Sequence, residues 1–293
     1  MGRHLLPELG ETPIKCVSRV SRDGASFWLR GTILDPSCAQ ELVKGSSTLI
    51  HMAAQLAGGD VYRTNVVGTE NMIEACRKEG VKRIVHLSSV GVVGLSYSRR
   101  KIVVDENTRC SPQNEYEKSK LQAEELWRNA ARDYGFELTI VRPTNVFGEN
   151  HPQNQMLDFL KHVLSGRRMP YSMDAVLNFV YVRDVAAAIA WFARKGGAGV
   201  WNIGDTVKFD WFYREVCSQL DTRPNRLSLP GPAISLMDCL GYGGFSSIRE
   251  RLTFVTNRVE YSARKLHQAF TPSYGLQAGL RNTITYYRSV GKL

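Results

Sequence analysis

Tyr116 and Lys120 stand four residues apart in "YEKSK", so on a helix both project from one face. An ammonium one turn from a phenol stabilises the phenolate. It draws the tyrosine pKa down from about 10, which makes an acid/base pair. The Y-x-x-x-K spacing also arises by chance on surface helices, so its neighbours in the chain matter. Upstream, Ser88 and Ser89 end the apolar run "RIVHLSS" and lead into the flexible "VGVVG". Hydroxyls at the C-terminal end of a parallel strand face the ligand crevice of an open α/β sheet. Downstream, "VRPTNVFG" ends another such run and puts Asn145 on the same rim, as a ligand contact or as a plain turn residue. Four stretches, "HMAA", "HLSSVGVVG", "YEKSK" and "RPTNVFG", thus deliver polar groups to one edge.

The elements that must hold these groups alternate in type. "IKCVSRVSR", "STLIHMAA", "VKRIVHLSS" and "ELTIVRPTNVFG" have strand character. "TNVVGTENMIEACRKEG" has helical spacing through Val66, Met72, Ile73 and Cys76 and stops at Gly80. "NEYEKSKLQAEELWRNAARDYG" is a longer amphipathic helix closed by Gly135. Such alternation implies an α/β protein with a parallel sheet and helices on both faces. Strand pattern weakens after about residue 205, where Pro and Gly accumulate, and "GLRNTITYYRSVG" near the end looks helical. At the other end "MGRHLLPELGE", with Leu5, Leu6 and Leu9, is a helix with no strand, turn or cap ahead of it.

Composition excludes several classes. With 293 residues, 43% hydrophobic and 23% charged, the chain falls in the soluble globular range. Its most apolar segment, "FVYVRDVAAAIAWFA", is interrupted by Arg183 and Asp184 and cannot serve as a membrane span. Glu8 and Glu11 break any signal-peptide core. The net charge of +10 is spread along the chain, and its densest cluster, "SRRK" at 98–101, is short. That distribution suits a solvated basic surface or an anionic ligand better than a nucleic-acid groove. Six cysteines occur singly without a C-x-x-C pair, which indicates neither a metal site nor disulfides, but thiols in a cytoplasm.

In this order and spacing the stretches resemble the extended short-chain dehydrogenases/reductases of the NAD-dependent epimerase/dehydratase family, over nearly the whole chain. "STLIHMAA" resembles the fourth strand with Ala53 and Ala54 against the cofactor, and "TNVVGTENMIEAC" the helix after it, with Asn65 at the family's asparagine. "HLSSVGVVG" resembles the serine motif, and counting back from Gly94 puts the catalytic hydroxyl at Ser89. "NFVYVRDVAAAI", "VWNIGD" and "GLRNTITYYRS" resemble later landmarks. The resemblance implies a Rossmann-like doubly wound sheet in residues 1–149, with 176–205 returning to it. A smaller C-terminal substrate domain would comprise 150–175 and 206–293. It implies a homodimer that performs NAD(P)-dependent hydride transfer at a carbinol or carbonyl carbon of a nucleotide sugar, as an epimerase or a ketoreductase. Tyr116 would exchange a proton with the substrate oxygen, Lys120 would lower the Tyr116 pKa and hold the nicotinamide ribose, and Ser89 would hydrogen-bond the reacting oxygen. Leu87, Ser88 and Pro143 would also line the cofactor. Val90 and Asn145 would face the substrate, Asn145 reaching a phosphate or a sugar hydroxyl.

Departures from the family pattern narrow this. Dehydratases of the family carry an acidic pair directly after the catalytic hydroxyl; here those places are Val90 and Gly91, which argues against dehydration. An Arg that clamps a diphosphate in many members is replaced by Leu177, leaving Arg249 or Arg251 as substitutes. An oxidoreductase acting on a sterol-like or flavonol-like alcohol would suit Leu177 and Val90. A non-catalytic cofactor-sensing, RNA-binding or scaffold protein is a third reading, against which Ser89, Tyr116 and Lys120 all stand. "IKCVSRVSR" offers Arg19 and Arg22 and no acid before Asp23, which favours NADP(H) over NAD(H). Finally, Gly2 resembles the last glycine of the family's G-x-x-G-x-x-G turn. The expectation is a chain shortened by the first strand and two glycines, and therefore weak in dinucleotide binding.

Overall fold

The computed structural model describes residues 1–19, 28–151, 155–229 and 255–293. Helix α1 (Gly2–Leu9) buries Leu5 and Leu9. Two short strands follow, β1 (Cys16–Ser18) and β2 (Trp28–Arg30). Helix α2 (Pro36–Val43) starts where the Asp35 carboxylate accepts the Ser37 N–H and Pro36 supplies a preset φ. Strand β3 (Thr48–His51) leads through a π-turn (Arg63–Val67) into α3 (Gly68–Glu79), which stops at Gly80 with φ 71. Strand β4 (Arg83–Leu87) passes into a 3₁₀ turn (Val90–Val93), then β5 (Ile102–Val104) and α4 (Glu115–Tyr134). Then come β6 (Glu137–Pro143), β7 (Asn145–Phe147), α5 (Gln155–Leu164), β8 (Met169–Ser172) and β9 (Val176–Tyr181). Helix α6 (Val182–Lys195), β10 (Gly199–Ile203), β11 (Asp205–Lys208), α7 (Phe209–Gln219) and β12 (Arg226–Leu229) follow. The last are β13 (Val259–Tyr261), α8 (Arg264–Ala269) and α9 (Gly275–Ser289).

The chain forms two compact units of similar length. The first comprises residues 1–94, 109–143 and 186–201. Its main sheet has the order β10-β6-β4-β3, and β3, β4 and β6 run parallel. The α/β expectation is met here. Ile33, Val43, Leu49, Met72, Ile84, Trp127 and Ile140 fill one core between sheet and helices. Strands β1 and β2 form a separate parallel pair whose Val17 packs on that same core. Among the described residues, no strand joins β1 to the outer edge of β3.

The second unit comprises residues 95–108, 144–185 and 202–293. A three-stranded sheet, β11-β9-β7, is accompanied by the parallel pairs β8–β12 and β5–β13. Residues 95–108 group with this unit rather than with 1–149 because β5 pairs with β13. The stretch "ELTIVRPTNVFG", expected as one strand, is two. Pro143 has no N–H to donate to a ladder; β6 ends there, the Thr144 N–H turns to Ile203 O, and β7 pairs with β9. Asn145 accordingly belongs to the second unit.

Candidate active site

The first unit gathers its polar groups where β4 ends. The Ser88 N–H donates to Val141 O at 2.7 Å, which prolongs the ladder by one residue. Its Oγ is buried and has no partner. The next residue, Ser89, caps the 3₁₀ turn: its Oγ accepts the Gly91 N–H at 3.0 Å. That turn closes on Gly94 in the left-handed region (φ 71), where any side chain would run into Ser111 O. Helix α4 packs against the turn. From it Lys120, buried, donates from Nζ to Leu87 O at 2.6 Å, and Tyr116 stands one turn earlier on the same face.

Asn65 and Ser119 hold this arrangement from the side. The Ser119 hydroxyl donates to Tyr116 O at 2.7 Å and accepts from Asn65 Nδ2 at 2.9 Å. The Asn65 amide also grips the backbone of Gln55, accepting its N–H at 2.7 Å and donating to its carbonyl at 3.0 Å. Both amide hydrogens and the oxygen are thus engaged within the protein. Asn65 acts on the site by fixing the loop after β3 against α4.

The charge balance differs from the sequence expectation. Burial lowers the Lys120 pKa to about 8, opposed by the charge of Glu124. Tyr116 is pushed up to about 12, first by burial and then by the neighbouring Glu117 carboxylate. The ammonium does not pull the phenol down here, because its bond goes to Leu87 O and desolvation dominates. Tyr116 therefore holds its proton at neutral pH. Glu117 is pinned in place: its N–H is capped by Asn114 and its Oε2 accepts the Gln113 N–H at 2.7 Å.

Beneath the site lies a cluster that the sequence reading did not single out. His51 ends β3 and is paired in register with His86 on β4. Their Nδ1 atoms are 3.3 Å apart, and Trp127 Nε1–H donates to His51 Nδ1 at 3.1 Å. Neither Nε2 has a partner. Burial lowers the His51 pKa to about 3 and that of His86 well below its usual value, with the Lys120 charge adding to both. The signal available was the histidine shared by "HMAA" and "HLSS", and reading it requires the strand order.

Other expected residues are more scattered. Ala53 packs on the core just past β3, while Ala54 beside it is exposed. Pro143 is buried at the end of β6. Gly2, exposed, opens α1, and Arg19, exposed, follows β1. Val90 is buried in the 3₁₀ turn. In the second unit Asn145 Nδ2 donates to Asn178 O at 3.0 Å, and Leu177 is a core residue of β9. Arg22, Arg249 and Arg251 lie outside the described residues. Among the described residues no group of three His, Cys, Asp or Glu side chains could hold a metal, and no helix is long and apolar enough to cross a membrane.

Residues 1–204 match the family described as NAD dependent epimerase/dehydratase family. Over 288 residues the chain is 31% identical to an N-acetyl-alpha-D-glucosaminyl-diphospho-ditrans,octacis-undecaprenol 4-epimerase of Escherichia coli, covering 87% of this chain and 82% of that protein. Its fold is similar to that of UDP-glucose 4-epimerase from Thermus thermophilus in complex with NAD, with a TM-score of 0.71, 20% identity, and 98% and 95% of the two chains covered. The RMD protein of Pseudomonas aeruginosa complexed with NADPH gives a TM-score of 0.69 at 20% identity over the same shares, 98% and 95%.

Proposed function

Because this chain belongs to the NAD-dependent epimerase/dehydratase family, we propose that it moves a hydride between a nicotinamide dinucleotide and a carbinol or carbonyl carbon of a nucleotide sugar, as an epimerase or ketoreductase. One observation carries this reading: Lys120, Ser88, Ser89 and Tyr116 converge where β4 ends. The residues fit the nicotinamide end of such a cofactor. Lys120 gives one of its three hydrogens to Leu87 O, and the buried Ser88 Oγ has no partner. When bound, the nicotinamide supplies or takes the hydride. Ser89 Oγ accepts from Gly91, so its own hydrogen is left to donate to the reacting oxygen. Tyr116, protonated, gives its proton to a carbonyl being reduced. Val90 and Gly91 bring no acid for expelling water, so dehydration is not part of the proposal.

NADP(H) is the preferred form in this reading, supported by Arg19 just past β1. The reading also includes a homodimer, as the resemblance implies, and a reducing compartment, supported by cysteines that occur singly along the chain without a C-x-x-C pair.

A second substrate class, a lipid-linked sugar diphosphate, is favoured by Leu177 at the place of the clamp and by the name of the Escherichia coli relative. Incubating the protein with UDP-N-acetylglucosamine, or with its undecaprenyl-diphosphate counterpart, and each nicotinamide cofactor tests both readings. Mass spectrometry and NMR of the sugar would show an epimer or a reduced product from one of them. A dehydrated product would overturn the assignment.

A further inference from the structure

We propose that Cys110 is an oxidation site for hydroperoxides, and that Arg142 is built to receive the oxygen its sulfur acquires. Arg142, on β6, is 1% exposed. Its Nε and Nη2 grip Glu124 Oε1 and Oε2 at 2.8 and 2.6 Å, a two-pronged pair in which the carboxylate is fully buried. The same Nη2 donates to Cys110 Sγ at 3.3 Å. The third nitrogen, Nη1, is buried with no partner.

An unmet buried donor is uncommon and calls for an acceptor. Nη1 shares a carbon with the nitrogen that touches sulfur, so an oxygen bonded to Sγ comes within its reach. The pair with Glu124 uses the other two nitrogens and need not break. Arg128 also donates to Glu124, at 2.8 Å. Two guanidinium groups thus share the one Glu124 carboxylate. Cys110 is half-buried, open to a small oxidant. Cys76 and Cys217 are buried, and desolvation holds their thiols protonated, Cys76 up to about 12.

In the step itself the Cys110 sulfur attacks one peroxide oxygen, and an S–O bond forms as the O–O bond breaks. Sulfur loses two electrons, the peroxide is reduced to water or an alcohol, and the thiol proton leaves on the departing oxygen. The product is a sulfenic acid that a thiol reductant reverses.

The test is to expose the full chain to stoichiometric hydrogen peroxide with dimedone and to follow each cysteine by peptide mass spectrometry. Cys110 should be labelled at least about tenfold faster than the half-buried Cys16 and Cys38. Labelling no faster than those two would overturn the proposal. That ranking is read within the wild-type chain and decides the site by itself. Arg142→Lys, checked for folding by circular dichroism, keeps the charge and loses the fork; it should lose the preference for Cys110. A folded variant that kept the preference would remove Arg142 from the account.

Discussion

His51 and His86 face each other across adjacent parallel strands, Nδ1 to Nδ1 at 3.3 Å, with Trp127 donating to His51 from the side. Both are buried and held neutral. In the unfolded chain each takes up a proton near pH 6.5; in the folded chain His51 does so only near 3. The unfolded state therefore binds more protons across that window. Stability is greatest above that range and falls as the pH drops through it. Urea titrations between pH 7 and pH 5 should show the fall, and His86→Leu should make it shallower. An unchanged slope in that variant would mean that His86 does not titrate differently on folding.

Tyr116→Phe keeps the ring and removes the proton that the site holds at neutral pH. Turnover of a confirmed substrate should drop by about two to four orders of magnitude, while cofactor affinity stays close to that of the wild type. Steady-state kinetics and a cofactor titration separate the two effects. Normal turnover in the Phe variant would take the acid role away from Tyr116.

Arg19 follows β1, where an arginine accommodates a ribose 2′-phosphate and an acid would hydrogen-bond a 2′-hydroxyl. Fluorescence titration should give tighter binding of NADPH than of NADH. Arg19→Ala should narrow the gap by about tenfold, equivalent to about 1.4 kcal/mol. Tighter NADH binding by the unaltered chain is the contrary result.

The sequence alone determined what depends on short spacing. Period and stop signals placed α3 and α4 and their glycine ends, because a helix terminus is set by a few neighbouring residues. Tyr116 and Lys120 share a face through helical geometry alone, and the Ser88–Ser89 pair marks a strand end by its position in the apolar run. Long-range packing decided the rest. Where the Lys120 ammonium points depends on Leu87, and the direction of the Tyr116 shift depends on how much protein surrounds it. The passage of the chain at Thr144 from β6 to β7 follows from the pairing of β7 with β9, and the His51–His86 contact from the register of two strands far apart in sequence. Spacing is a property of the chain, whereas desolvation and hydrogen-bond partners are sums over neighbours that only the folded structure brings together.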